Sequence, residues 1–300
     1  MKIRKYAAID IGSNAIRLLI QNVIEAPDRP VRFNKSSLIR VPVRLGEDSF
    51  RTGRITPNNE LRIEKTLRAF GLLMEVSGVE RYRACATSAL REAENGPAIL
   101  DRIGRDTGMP VELIDGREEA QIIASTDLRR FLREGITYLN VDVGGGSTEF
   151  TWFIRGVPAQ SRSFRIGTVK LLDQMVTEAE WGELEAWLRQ EAAAFPQVAL
   201  IGSGGNINKL HKMSGRKREQ PLSYSWLQKQ YRFLEGLSYD QRVAEIGLNP
   251  DRADVILPAA RIFLAAARWS GARRIYVPQI GLADGIIRHM YYNGVLPRES

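Results

Sequence analysis

Three hundred residues with 44% apolar content are enough to build a sizeable core in each of two ordinary domains. No uninterrupted apolar run reaches the roughly 18 residues of a membrane span, and "MKIRKYAAIDIGSN" is too short in its apolar part, and interrupted by Asp10, to read as a signal peptide; no membrane partner is expected. The formal net charge of +8 implies an anionic partner, and 34 of the 43 basic residues are Arg, which forks onto phosphate oxygens. A solvated Arg-rich surface is the plainer explanation, and no nucleic-acid-binding motif is present. The single cysteine, Cys85, excludes an internal disulfide framework and fits a reducing cytoplasm. Two histidines, His211 and His289, are too few for a structural zinc site, so any metal would be held by oxygen.

In chain order, "YAAIDIG" and "AIRLLIQNVI" read as a hairpin joined at Gly-Ser-Asn, with "VRFNKSSLIRVPV" as a third strand. "PNNELRIEKTLRAFGLLMEVSG" places Leu61, Ile63, Leu67, Phe70, Leu73 and Met74 close to helical period and ends at Gly78. A strand "YRACAT", a loop "SALREAENG", a helix from about Pro97 to Gly108 and a strand "VELID" follow. A helix from Glu118 to about Arg133 is entered through "DGREEA". The second half restarts the pattern, with "YLNVDVGGG", "STEFTWFIRG" and "PAQSRSFRIG" as a meander. Helices are expected around Val169–Met175 and Glu178–Phe195, the second with Trp181, Leu184, Trp187 and Leu188 on one face. "VALIGSGGNINKL" is a strand, a glycine turn and a helix start; helices then run to Trp269, and "RIYVPQIGLADG" precedes a last helix, "IIRHMYY". The boundary falls near 125–137, giving domains 1–126 and 127–300, with the C-terminal helix, about 285–300, expected to pack back on the first.

The two strand–turn–strand units are an internal repeat: Asp10 aligns with Asp142, Gly12 with Gly144, Ser13 with Gly145, Asn14 with Gly146 and Arg17 with Glu149. Two such lobes would put two small-residue turns on either side of one cleft. Turns without bulky side chains expose backbone N–H groups that can cradle phosphate. A carboxylate beside a phosphate is repelled unless a cation intervenes, so Asp10 and Asp142 point to magnesium, with Glu149 a further metal or water ligand. The simpler alternative is a hairpin at Gly144–Gly146 capped by Asp142; its repetition with an aspartate in register favours the phosphate site. Gly204 opens a third turn at a helix N-terminus, where anions also bind, although such turns exist for packing alone. Glu118 and Glu119 in a first helical turn suit the helix dipole, and since neighbours diverge by about 100°, at most one faces a cleft to orient a water. Arg91, after a strand end, is a phosphate clamp or a solvated arginine, and Arg17 supplies positive charge to the first lobe where the second has an acid.

Together "AIDIGSN", "ATSALREAENG", "DGREEA", "VDVGGGSTE", "IGTVKL", "IGSGGNINKL" and "DRADVILPAARIF…GLADG" resemble the exopolyphosphatase/guanosine pentaphosphate phosphatase (Ppx/GppA) family, within the actin-like ATPase superfamily, over nearly the whole chain. The resemblance implies an α/β protein of two duplicated ribonuclease H-like domains with the active site in the cleft between them. It also implies magnesium-dependent removal of terminal phosphates from polyphosphate or from pppGpp. By it Glu119 is the catalytic glutamate, Arg91 the loop arginine, and Asp142 and Glu149 the metal and water carboxylates. It gives phosphate contacts to Gly12, Ser13, Asn14, Gly144, Gly145, Gly146 and Ser147. Ala15 and Lys170 depart from the pattern, where serine and arginine are usual, as do "PAA" at 258–260 and "VPQIGLADG"; the C-terminal helical domains of longer members are absent. The leading reading is an exopolyphosphatase, and the alternative a pppGpp 5′-phosphohydrolase. A sugar- or acetate-kinase-like phosphotransferase and a non-enzymatic actin-like scaffold rank lower, and a homodimer is left open.

Overall fold

The apolar run ending in Asp10 forms β1 (Lys2–Ile11), whose last six residues are buried, as a central strand covered on both faces requires. The computed structural model describes residues 1–124, 126, 128 and 131–293. The chain divides into two compact units, Met1–Thr126 with Leu282–Ser300, and Asp127–Gly281. In the first, β1 pairs antiparallel with β2 (Ala15–Ala26), and β2 with the exposed edge strand β3 (Arg29–Pro42). α1 (Leu45–Thr52) and α2 (Pro57–Val76) follow, the latter capped by the Thr56 hydroxyl, which accepts from Asn59 N–H, and opened by Pro57. α2 buries Ile63, Thr66, Leu67, Phe70 and Met74 as one stripe. Leu61 and Leu73, expected on that stripe, fall off it and are 45% and 40% exposed. β4 (Arg81–Ala86) lies parallel to β1; α3 (Ser88–Glu92) and α4 (Gly96–Thr107) lead to β5 (Glu112–Leu113), parallel to β4. α5 (Gly116–Ala124) ends well before the expected Arg133: Phe131–Arg133 is not helical, and residues 125, 127, 129 and 130 lie outside the described residues.

The second unit repeats the plan. β6 (Thr137–Val143), β7 (Thr148–Ile154) and β8 (Val157–Phe164) form the meander. α6 (Thr168–Leu172) is shorter than expected, and α7 (Glu178–Ala192) starts at a Thr177/Glu180 capping box. β9 (Val198–Ser203) lies parallel to β6 and leads into α8 (Gly205–Met213). β10 (Leu222–Ser223), α9 (Tyr224–Glu235), α10 (Tyr239–Ala244), α11 (Pro250–Ala253) and α12 (Ile256–Ser270) precede β11 (Arg274–Tyr276), parallel to β9. The sheet orders are β3-β2-β1-β4-β5 and β10-β11-β9-β6-β7-β8. Read from its third strand, the second sheet runs β8-β7-β6-β9-β11, matching β3-β2-β1-β4-β5 with a parallel fifth position, and adds β10 antiparallel at the edge, so the repeat seen at the turns extends to the sheets.

The second core centres on Phe150, Trp152, Phe164 and Trp187, with ring centroids 5.4–6.4 Å apart. Trp181, Leu184, Trp187 and Leu188 of α7 are its buried face, as their spacing predicts. The last helix, α13 (Leu282–Asn293), packs Leu282, Ala283, Ile286, Ile287 and Met290 into the first unit's core with Tyr6, Leu19, Cys85 and Ile122. The expected continuation of that helix over 294–300 lies outside the described residues. Among the described residues no helix is long and apolar enough to cross a membrane.

Candidate active site

Each repeat closes its turn on one hydrogen bond. Gly12 N–H donates to the Ala15 carbonyl at 3.2 Å, and Gly144 N–H to the Ser147 carbonyl at 2.9 Å. None of Gly12, Gly144, Gly145 and Gly146 has a positive φ, so none is required for a left-handed turn, and at Gly144 the requirement is close approach. A Cβ on Gly144 would stand 2.9 Å from the Ser147 carbonyl oxygen, and one on Gly167 would overlap the backbone of Gly145 and Gly146.

The segment after the third strand docks on each turn. Gly46 and Arg44 N–H groups donate to the carbonyls of Ser13 (2.8 Å) and Asn14 (3.0 Å); Thr168 and Val169 N–H groups donate to those of Gly144 and Gly145 (both 2.9 Å). The N–H and C=O of one planar trans peptide point in opposite directions. The N–H groups of Asn14 and Ala15, and of Gly145 and Gly146, are therefore directed away from these segments. Backbone carbonyls turned to one side and amides to the other is an arrangement suited to an anion. The buried Ser13 hydroxyl meets the buried Ser88 hydroxyl at 2.9 Å, and Thr87 N–H donates to the Ile11 carbonyl at 3.1 Å, tying the first turn to α3.

Strand register sets the acids. Asp10 is paired with Arg17, and Asp142 with Glu149; residues directly opposite in an antiparallel pair project from the same face. In the first unit the pair is an ion pair, Arg17 Nη1 to Asp10 Oδ2 at 2.8 Å. In the second unit the same positions hold two buried carboxylates, 9% and 1% exposed. Glu149 Oε1 accepts from the hydroxyls of Ser147 (2.6 Å) and Ser163 (3.0 Å). Gly204 (φ +102°) stands beside Asp142, where a Cβ would lie 3.3 Å from Oδ1. Like charges directly opposite are unfavourable, and the first repeat answers its aspartate with a guanidinium. An all-oxygen pair such as Asp142 and Glu149, completed by water and phosphate oxygens, is of a kind that could hold magnesium. Among the described residues no three His, Cys, Asp or Glu side chains converge as a metal site, so such an ion would take its other ligands from water or substrate.

Arg91 lies in α3 rather than in the expected loop, because its N–H closes a helical turn on the Thr87 carbonyl at 3.0 Å. Its Nη1 donates to the Ile114 carbonyl at 2.7 Å and lies 4.0 Å from Glu119 Oε2. Glu119 is 8% exposed. Glu118 diverges from it, as neighbours on a helix must, and accepts from Arg83 Nη2 at 2.8 Å. Burial works against the Arg83 charge, but its bonds to Glu112 and Glu118 outweigh this and hold its pKa above the ordinary value. Burial pushes the Cys85 thiol up to about 12, so it stays neutral and is no nucleophile.

Within the first unit the structure brings together Arg91 and Glu119, and separately Asp10 and Arg17; within the second it gathers Asp142, Glu149, Ser147 and Gly204. Sequence reasoning missed Arg83, Ser88 and Ser163. A lone arginine in the apolar "YRACAT" was a readable signal, since a buried guanidinium demands acidic partners. Ser88 and Ser163 carried none, because their hydroxyls are defined by residues far away in the chain.

Two copies of one sheet plan, each with a turn suited to an anion, make this a duplicated α/β protein. The model of the Ppx/GppA phosphatase family matches residues 33–293, and the chain belongs to that family of hydrolases. Among relatives, Exopolyphosphatase 2 of Mycobacterium tuberculosis is 29% identical over 315 residues, covering 95% of this chain and 98% of its own. Exopolyphosphatase 1 of the same organism is 24% identical over 305 residues, covering 94% and 87%. The crystal structure of an exopolyphosphatase from Cytophaga hutchinsonii superposes with a TM-score of 0.82 at 24% identity over 98% of this chain and 99% of that one. The Aquifex aeolicus Ppx/GppA family member gives 0.77 at 24% over 99% and 100%. These likenesses bear out the duplicated α/β fold.

Proposed function

We propose that the protein is an exopolyphosphatase that hydrolyses the terminal phosphoanhydride of inorganic polyphosphate with magnesium. The observation that carries this reading is the pair of turns: the carbonyls of Ser13, Asn14, Gly144 and Gly145 are tied to the docked segments, which leaves the amides of Asn14, Ala15, Gly145 and Gly146 facing the other way, as an anion requires. Two relatives named as exopolyphosphatases support the substrate class. Glu119 accepts a proton from the attacking water, whose oxygen bonds to the terminal phosphorus as the bridging P–O bond breaks. The products are orthophosphate and a chain one unit shorter. Arg91 binds the scissile phosphate and stands beside Glu119, 4.0 Å from its Oε2. The amides of Asn14, Gly145 and Gly146 hold phosphate oxygens. Asp142 and Glu149 would hold the magnesium ion, which when bound supplies positive charge to the phosphate oxygens; Ser147 and Ser163 keep Glu149 in place.

The test is orthophosphate release from short polyphosphate, long polyphosphate and pppGpp, each with magnesium and after its removal by chelation. Release from polyphosphate that is lost on chelation and restored by magnesium is expected. Preference for pppGpp would reassign the substrate, and equal inactivity on all three would overturn the proposal.

A further inference from the structure

α5 is nine residues long, too short to hold its own orientation in water. Its first turn carries both acids about 100° apart, so a roll of the helix by a fraction of that angle would already turn Glu119 off Arg91. Burial of Ala120, Ile122 and Ile123 seats the helix on the core, and two polar devices fix its first turn. One is local: Asp115 Oδ1 accepts from Glu118 N–H at 2.7 Å. The other comes from a distant strand. Arg83 of β4, 8% exposed, donates from Nη2 to Glu118 Oε1 (2.8 Å) and Glu112 Oε2 (2.8 Å), and from Nε to Glu112 Oε1 (3.1 Å). One buried guanidinium thus joins β4, β5 and α5 through three directed bonds.

A well-packed apolar side chain would hold β4 at least as firmly as a buried ion pair does. What the Arg83 fork adds is direction. We propose that Arg83 and Glu118 form a positioning clamp that sets the roll of α5 and so keeps Glu119 turned toward Arg91. Glu118, the acid that does no chemistry, is the handle by which its neighbour is aimed. The proposal rests on Glu119 as the general base.

The experiment compares Glu118→Ala, Glu118→Gln, Arg83→Met and Glu119→Gln by steady-state kinetics on polyphosphate, pH–rate profile and melting temperature. The Glu118 side chain is 43% exposed, so its removal opens no cavity. Misplacing a reacting group by about 1 Å costs up to ~100-fold, so Glu118→Ala is expected to lower kcat roughly 10- to 100-fold with KM and melting temperature nearly unchanged. Glu118→Gln keeps an acceptor oxygen for Arg83 and is expected to recover most of the rate. Arg83→Met is expected to match Glu118→Ala, and the double variant to be no worse than either. Full kcat in Glu118→Ala with an inactive Glu119→Gln would remove the clamp and leave the proposed function standing. Equal losses in Glu118→Ala and Glu118→Gln with a shifted pH profile would also overturn the clamp, because Glu118 would then act through charge. Full activity in Glu119→Gln would remove the general base and the clamp together.

Discussion

At Gly204 the backbone leaves β9 with φ +102° and enters α8, and a Cβ there would crowd both Asp142 Oδ1 and the Val143 carbonyl at 3.3 Å. Gly53 has φ +74° with open space around the missing side chain, which separates the two costs. Gly53→Ala is expected to lose about 1 kcal/mol from the backbone conformation alone. Gly204→Ala is expected to lose ~1–3 kcal/mol and also to reduce phosphate release, because Asp142 must shift to make room. Denaturant unfolding of the two variants, with phosphate release measured beside it, checks this; equal stability losses and unchanged activity would show that Gly204 answers only to its φ.

Among the elements, α13 carries His289, whose Nδ1 is buried with no hydrogen-bond partner among the described residues. Burial first, and then the Arg83 charge, lower its pKa from the ordinary 6.5, with Glu118 and Glu112 opposing. The neutral imidazole is therefore favoured in the folded state. Below pH about 6.5 the unfolded chain binds more protons at this site than the folded one, so stability is full above that pH and declines as pH falls toward the lowered folded value. The drop in melting temperature between pH 7.5 and 5.5 is expected to be smaller in His289→Gln than in the wild type. Equal drops would show that the packing of α13 is indifferent to this proton. The helix itself was legible from its apolar spacing. Its burial beside Arg83 was not, because the two residues are separated by most of the chain.

For the whole molecule, the first unit is assembled from both ends of the chain. Leu282, Ile286, Ile287 and Met290 are buried in its core. At about 1.5–3 kcal/mol per large apolar side chain their burial amounts to ~6–12 kcal/mol, comparable to the net stability of a domain. A chain ending at Gly281 is expected to keep a folded second unit and to expose the core of the first. Proteolysis would then concentrate within residues 1–126, with increased dye binding to exposed apolar surface; a protease-resistant first unit would contradict this.

Local chemistry determined what sequence could show. Strand and helix periodicity, caps, small-residue turns and the in-register aspartates are properties of neighbours in the chain, so the repeat and the identity of the candidate acids were readable. Only the tertiary structure decided which side chains those acids meet. Leu61 and Leu73 fell off the buried stripe because a helix buries only the face its neighbours cover, and Arg91 moved from loop to helix through a bond to Thr87. Asp10 is answered by Arg17 and Asp142 by Glu149 through strand register, while Glu118 is drawn to Arg83 and Glu119 to Arg91 by strands and helices distant in sequence. The physical reason is that a side chain's partner depends on direction as well as position, and direction is set only once the sheets have paired and the helices have packed.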